Sequence, residues 1–253
     1  MSDQKRAAVL SSVQHRNLRL RKGTFFHLDN QPMVPVSVAE APLAALDLPL
    51  VFARGEGGGL GLMALLSLNP KDNVHVGPKG LWMGGYMPVV VRTHPFGLYF
   101  DGARATVVVV EDSDWLSTNE GDPLFDQDGN PTPVLKNITE LLKKRFPHPQ
   151  RDIPVLEAIA QSAILEPLGQ VSDRLLKITP DKLAGLDDRA FLELRKKNAL
   201  PVIYAHLMSL ARIDRIKNLA QRKEQIRQHL VKHKKLPDGE FSLRMDDDMI
   251  SFD

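Results

Sequence analysis

The 253 residues are 43% hydrophobic and 25% charged, with a formal net charge of +2, a balance that suits a globular protein with a sizeable core. Cysteine is absent, which excludes disulfides, thiolate metal sites and cysteine nucleophiles and leaves the redox compartment undecided. No window approaches the roughly 20 apolar residues of a membrane-spanning helix. Met1 to Lys22 lacks the apolar stretch of a Sec signal peptide, so cytoplasmic synthesis is the default, with cell-surface or virion association as alternatives.

The small net charge hides a polarised layout. Residues 1–27 carry six Lys/Arg against Asp3, residues 212–235 carry nine against Asp214 and Glu224, and residues 238–253 carry six acids against Arg244. A basic helix followed by an acidic tail either neutralises itself or addresses partners of opposite sign. Residues 1–22 read as a basic flexible arm or a short helix over 7–17. Ser37 and Glu40 have capping-box spacing ahead of a short helix at 38–46. Residues 48–54 and 60–68 read as a strand pair joined by the glycine-rich loop 55–59, which lacks the Gly-Lys-Ser/Thr or GxGxxG of a phosphate loop. Further strands are expected at 73–76, 86–92, 98–100 and 105–110, the last apolar on both faces and therefore central. The stretch Gly80 to Gly97 clusters Trp82, Tyr86, a Val run and Arg92-Thr93-His94-Pro95, and marks the middle of a core.

Residues 121–131 are dense in turn formers. Asp122, Asp126 and Asp128 miss the EF-hand pattern, because glycine comes directly after the last of them and no twelfth-position glutamate follows, so an Asx-type turn is expected. Helices are expected at 134–146, at 153–168 behind an Asp152 N-cap, and at 187–194. Residues 200–236 form the longest helical segment. Its first half is expected to pack on the sheet, and its second half to project or dock on a neighbour. The tail 237–253 alternates apolar residues at Phe241, Leu243 and Met245 before three aspartates, a pattern suited to strand addition on a partner.

Gly-x-Trp at 80–82, Tyr-x-Pro at 86–88 and Arg-x-x-Pro-Phe at 92–96 resemble the central signature of the bacterial SapC family. Leu48-Pro49-Leu50-Val51-Phe52, the run from Leu65 to Trp82, the acidic turn 121–129 and Ala205-His206-Leu207-Met208-Ser209-Leu210 resemble that family in the same order, over roughly residues 25–220. The family takes its name from a gene associated with bacterial surface-layer proteins and their export, and similar proteins occur in phage genomes. The resemblance implies surface-layer or particle assembly and brings no reaction, cofactor or catalytic residue.

Candidate chemistry is sparse. Ser, His and Asp occur without a Gly-x-Ser-x-Gly elbow. His229 and His233 are four apart, but cationic neighbours oppose a metal ion there. Tyr86, Arg92 and His94 form the best polar cluster for an anion or small ligand; the competing structural reading pairs Arg92 with Asp101 or Glu111. His206 reads as an interior or boundary histidine. Nucleic acid is not an expected partner, since residues 212–235 hold no aromatic to stack on bases.

The sequence therefore predicts an α+β protein: an N-terminal antiparallel β-sheet with short helices, then a C-terminal helical half with a long terminal helix. It divides into a basic arm (1–22), one domain (23–220) and a basic helix end with an acidic tail (221–253). The leading expectation is a non-enzymatic assembly protein that binds other chains, itself included. Arg222, Arg227, Lys232, Lys234, Lys235, Asp246, Asp247 and Asp248 would carry that contact, without metal or cofactor. The alternatives are a small-molecule binder or enzyme using a pocket near Arg92 and His94, and a leaderless export substrate.

Overall fold

A computed structural model describes residues 7–55, 57–169 and 174–234. The strands are β1 (Ala7–Val9), β2 (Arg19–Leu20), β3 (Met33–Pro35), β4 (Leu50–Arg54), β5 (Leu60–Leu65), β6 (Phe96–Asp101), β7 (Arg104–Val110), β8 (Leu116–Ser117), β9 (Asp122–Pro123), β10 (Leu165–Pro167) and β11 (Leu175–Ile178). The helices are α1 (Ala41–Ala44), α2 (Val89–Arg92), α3 (Pro133–Arg145), α4 (Pro149–Gln161), α5 (Pro180–Ala184), α6 (Asp188–Lys196), α7 (Leu200–Ser209) and α8 (Ile213–Lys234). The α+β class holds, with all strand pairs antiparallel. The single expected sheet gives way, among the described residues, to three sheets, ordered β1-β7-β6, β10-β11-β4-β5-β3 and β8-β2-β9.

The five-stranded sheet is buried on both faces, because successive side chains of a strand point to opposite sides. Leu50 and Phe52 of β4 and Leu62 and Ala64 of β5 enter the main core, which includes residues of α1, α4 and α7. Val51, Leu65 and Leu175 look the other way and are covered by Ile216 and Leu219 of α8. A separate core joins Phe96 and Val109 of the three-stranded sheet to Leu135 and Leu142 of α3.

Helix α7 completes the edge of β4 where the ladder to β11 stops. The last pair is Leu176 opposite Phe52; continued, the register would set Ile178 opposite Leu50. There the buried His206 intervenes. Its Nδ1 donates to Leu50 O at 2.8 Å, its Nε2 accepts from Ile178 N at 2.9 Å, and Ser209 Oγ accepts from Leu50 N at 2.8 Å. Two side chains of one helix thus satisfy the backbone groups a neighbouring strand would otherwise pair. The tautomer follows from the network, since Ile178 N–H can only donate.

Several local expectations change. Residues 89–92 of the expected strand 86–92 are the helical turn α2, because its first N–H is capped by a distant carboxylate described below. Residues 73–76 form turns with one bridge, Val76 to Trp82. Ala7–Val9, within the expected arm, is strand β1, and pairs with Val110–Val108 of β7. The helix expected over 153–168 ends at Gln161, and a positive φ of 58° at Ala163 turns the chain into β10. Asp152 lies inside the first turn of α4 and accepts from the N–H of the N-cap His148 at 2.9 Å. The long terminal helix is present, with a 3-10 turn at Leu210–Arg212 dividing α7 from α8.

Other expectations hold. The 55–59 loop closes the β4–β5 hairpin, and β7 is central in its sheet. Asp126 Oδ1 accepts from the N–H groups of Asp128 and Asn130 at 2.9 and 2.8 Å, the Asx-type arrangement. These bonds, that from Asn130 N–H foremost, hold its carboxyl below the usual range.

Candidate functional site

The family-like stretch Gly80 to Gly97 sits between two polar clusters. The first centres on Glu40, which is fully buried at the N-terminus of α1. Ser37 supplies the expected half of a capping box, its Oγ accepting from Glu40 N at 3.1 Å. The Glu40 carboxylate does not return the bond. Its Oε1 accepts from Val89 N at 2.7 Å and from the Tyr86 hydroxyl at 3.0 Å. That cap holds Val89-Val90-Val91 in a helical turn despite their β-branched preference. Burial pushes the Glu40 carboxyl up, partly offset by the bonds from Val89 and Tyr86 and by the charges of Arg92 and Arg145. Burial, together with the charge of Glu40, pushes the Tyr86 phenol up to about 12.

The second cluster is a chain of rings. His27 stacks on His94 at 4.0 Å, Trp115 meets His94 edge-on at 5.5 Å, and Phe25 packs between Trp115 (5.1 Å) and Trp82 (6.0 Å). His75 stacks on Trp82 at 5.2 Å. His94 Nε2 lies 2.9 Å from Ser113 Oγ, which also accepts from Trp115 N. Burial lowers the His75 imidazole to about 4. Gly80, at φ +71°, and Gly84 leave room for this packing. A Cβ at Gly80 would fall 2.7 Å from Thr24 Cβ, and one at Gly84 would fall 2.5 Å from the His75 ring.

Asp47 links these clusters to the C-terminal helix. It accepts from Tyr86 N at 2.7 Å and pairs with the Arg215 guanidinium of α8.

The structure therefore gives Tyr86, Arg92 and His94 different surroundings. Tyr86 turns to Glu40, His94 to Ser113 and His27, while Arg92 is exposed at the end of α2 and acts on Glu40 through its charge. Glu111, considered as a partner of Arg92, bonds His15 at 3.0 Å and Gln14 at 2.8 Å. Among the described residues, surface clefts of about 210 to 680 Å³ are lined by other residues. Glu40, Asp47, His27 and Ser113 were not singled out as site residues from the sequence, although the Ser37–Glu40 spacing marked the turn that carries one of them.

Helix α8 is fixed along its first half. Beyond Ile216 and Leu219, Lys223 Nζ bonds Asp72 Oδ1 at 2.8 Å and Asn73 O at 2.9 Å. Arg222 and Arg227 are exposed, the latter 4.0 Å from Glu224. Lys232 and Lys234 fall on the last turn of α8; Lys235, Asp246, Asp247 and Asp248 lie outside the described residues.

The family model described as SapC matches residues 10–216. The chain belongs to the SapC family. No curated protein and no solved structure matches it. The SapC match takes in the Glu40 cluster and the ring stack and ends at Ile216, on the first turn of α8, so Arg222 and Arg227 lie beyond it. No helix among the described residues is long and apolar enough to cross a membrane.

Proposed function

We propose that this SapC protein is a non-enzymatic accessory of surface-layer or particle assembly that binds other protein chains, itself included, through its C-terminal end. The observation that carries this reading is the layout of α8. Its base is packed on the sheet by Ile216 and Leu219, its middle is held by Lys223 on Asp72, and Arg222 and Arg227 are presented to solvent. A basic helix anchored in this way suits an acidic protein surface, to which charge complementarity gives specificity and on-rate.

Size-exclusion chromatography with light scattering tests it. The full chain is expected to run above its monomer mass at low salt. A chain lacking residues 221–253 is expected to run as a monomer at all salt concentrations. A full chain that stays monomeric, unchanged by the deletion, counts against assembly through this end.

One observation favours the second reading, a small-molecule or enzyme pocket at Tyr86, Arg92 and His94. Glu40 next to Tyr86 is a buried carboxyl with a raised pKa, and its Oε2 has no hydrogen-bond partner among the described residues; such perturbed groups gather at functional sites. Calorimetric titration with small carboxylates and phosphate, giving heat that Arg92→Ala removes, would favour that reading. The third reading, leaderless export, turns on whether residues 236–253 carry a fused reporter out of the cell.

A further inference from the structure

Beyond the clamp at Lys223, α8 runs alongside the loop 77–83 and leaves a cleft of about 490 Å³ between them. Pro78, Leu81 and Met83 line one side, Ile226 and Leu230 the other. Leu81 is 53% exposed and Leu230 39% exposed, so the cleft is open and its walls are apolar. Lys79 stands in its lining, and the exposed Arg222 and Arg227 lie on the helix beside it. The chemistry is that of a groove for an apolar peptide face flanked by acids.

We propose that the occupant is the protein's own segment 241–248, seated in cis. Phe241, Leu243 and Met245 alternate, so an extended segment presents all three on one side. Asp246, Asp247 and Asp248 follow at once and complement the cations of α8. The reach suffices. Leu230 and Ile226 lie about 6 and 12 Å back along the helix from Lys234 at 1.5 Å per residue. Residues 235–240 span up to about 20 Å when extended, and they contain Leu236-Pro237-Asp238-Gly239, residue types that reverse a chain. Met83 in the groove adapts to the shape of what enters. The charged ends thus neutralise one another within the chain, and an outside partner of α8 must displace the segment.

The cysteine-free background makes the test direct. In the full chain, Leu243→Cys, on the side of the segment that faces the groove, is combined either with Leu230→Cys, in the cleft, or with Gln228→Cys, exposed on α8 at nearly the same tether length. A segment that does not dock closes both intrachain disulfides at similar rates, set by the tether alone. Docking predicts that the Leu230→Cys pair closes at least tenfold faster. Asp246→Asn, Asp247→Asn and Asp248→Asn together, or high salt, are expected to shrink that advantage. Equal rates overturn the proposal. Disulfides that form only between chains also overturn it, since they assign the cleft to a second copy. A strict monomer that shows the fast intrachain closure would count against the assembly reading while leaving this one standing.

Discussion

Replacing His206 with alanine is expected to lower the unfolding free energy by about 3–5 kcal/mol, the range for buried groups whose loss leaves a cavity and unpaired partners. Both ring nitrogens are engaged, so the substitution strands the N–H of Ile178 and the C=O of Leu50 where the β4–β11 ladder has already parted. It also removes the ring packed 4.9 Å from Phe52. Urea melts of the two proteins at pH 7.5 give the difference; a loss under 1 kcal/mol would show that the strands rejoin without the imidazole.

The same residue sets a pH dependence. Burial holds His206 and His75 at about 4, against an ordinary value of 6.5. Between those values the unfolded chain binds the protons and the folded chain does not. Stability therefore falls as pH drops from 6.5 towards 4, by about 2–3 kcal/mol per histidine at pH 4.5. Glu40 acts with the opposite sign. Its raised folded pKa means that the folded state takes up a proton first, so its contribution is present at low pH and lost as pH rises through the folded value. Urea melts from pH 7.5 to 4.5 should show the net decline, and His206→Ala should remove about half of the histidine part. A flat profile in the parent protein would contradict neutral burial of the two rings.

Glu40→Ala is expected to cost about 2–4 kcal/mol, because two donors in a closed interior lose one shared acceptor. The N–H of Val89 and the hydroxyl of Tyr86 both point at Oε1. Glu40→Gln keeps an acceptor in that position and should cost less. Its stability relative to the parent should rise with pH, since the amide has no proton to lose. If Ala and Gln were equally tolerated, the turn Val89–Arg92 would owe nothing to its cap.

The contrast between these residues explains what the sequence could reveal. The β4–β5 and β6–β7 hairpins, α3, α4 and α6 declare themselves through short apolar runs, helical spacing and nearby turn residues, all local signals. Strand β11 does not, because its place beside β4 depends on a pairing across more than a hundred residues, and β10, which pairs with β11 alone, falls within the stretch expected as the end of the helix over 153–168. The Val run at 89–91 misleads because a carboxylate at Glu40 outweighs intrinsic propensity. In the site, Tyr86, Arg92 and His94 stand out by residue type and crowding. Their partners do not: Glu40 is 46 positions from Tyr86 and Ser113 is 19 from His94, separations that carry no periodic signature.

The two-sided burial of the five-stranded sheet bears on where this protein tolerates being cut. Helix α8 roofs one face of the sheet through Ile216 and Leu219, so shortening the chain to before Ile213 would bare Val51, Leu65, Val74 and Leu175 as one contiguous greasy surface. A product cut there should precipitate or be degraded, whereas one that keeps Ala220 retains its roof and should stay soluble.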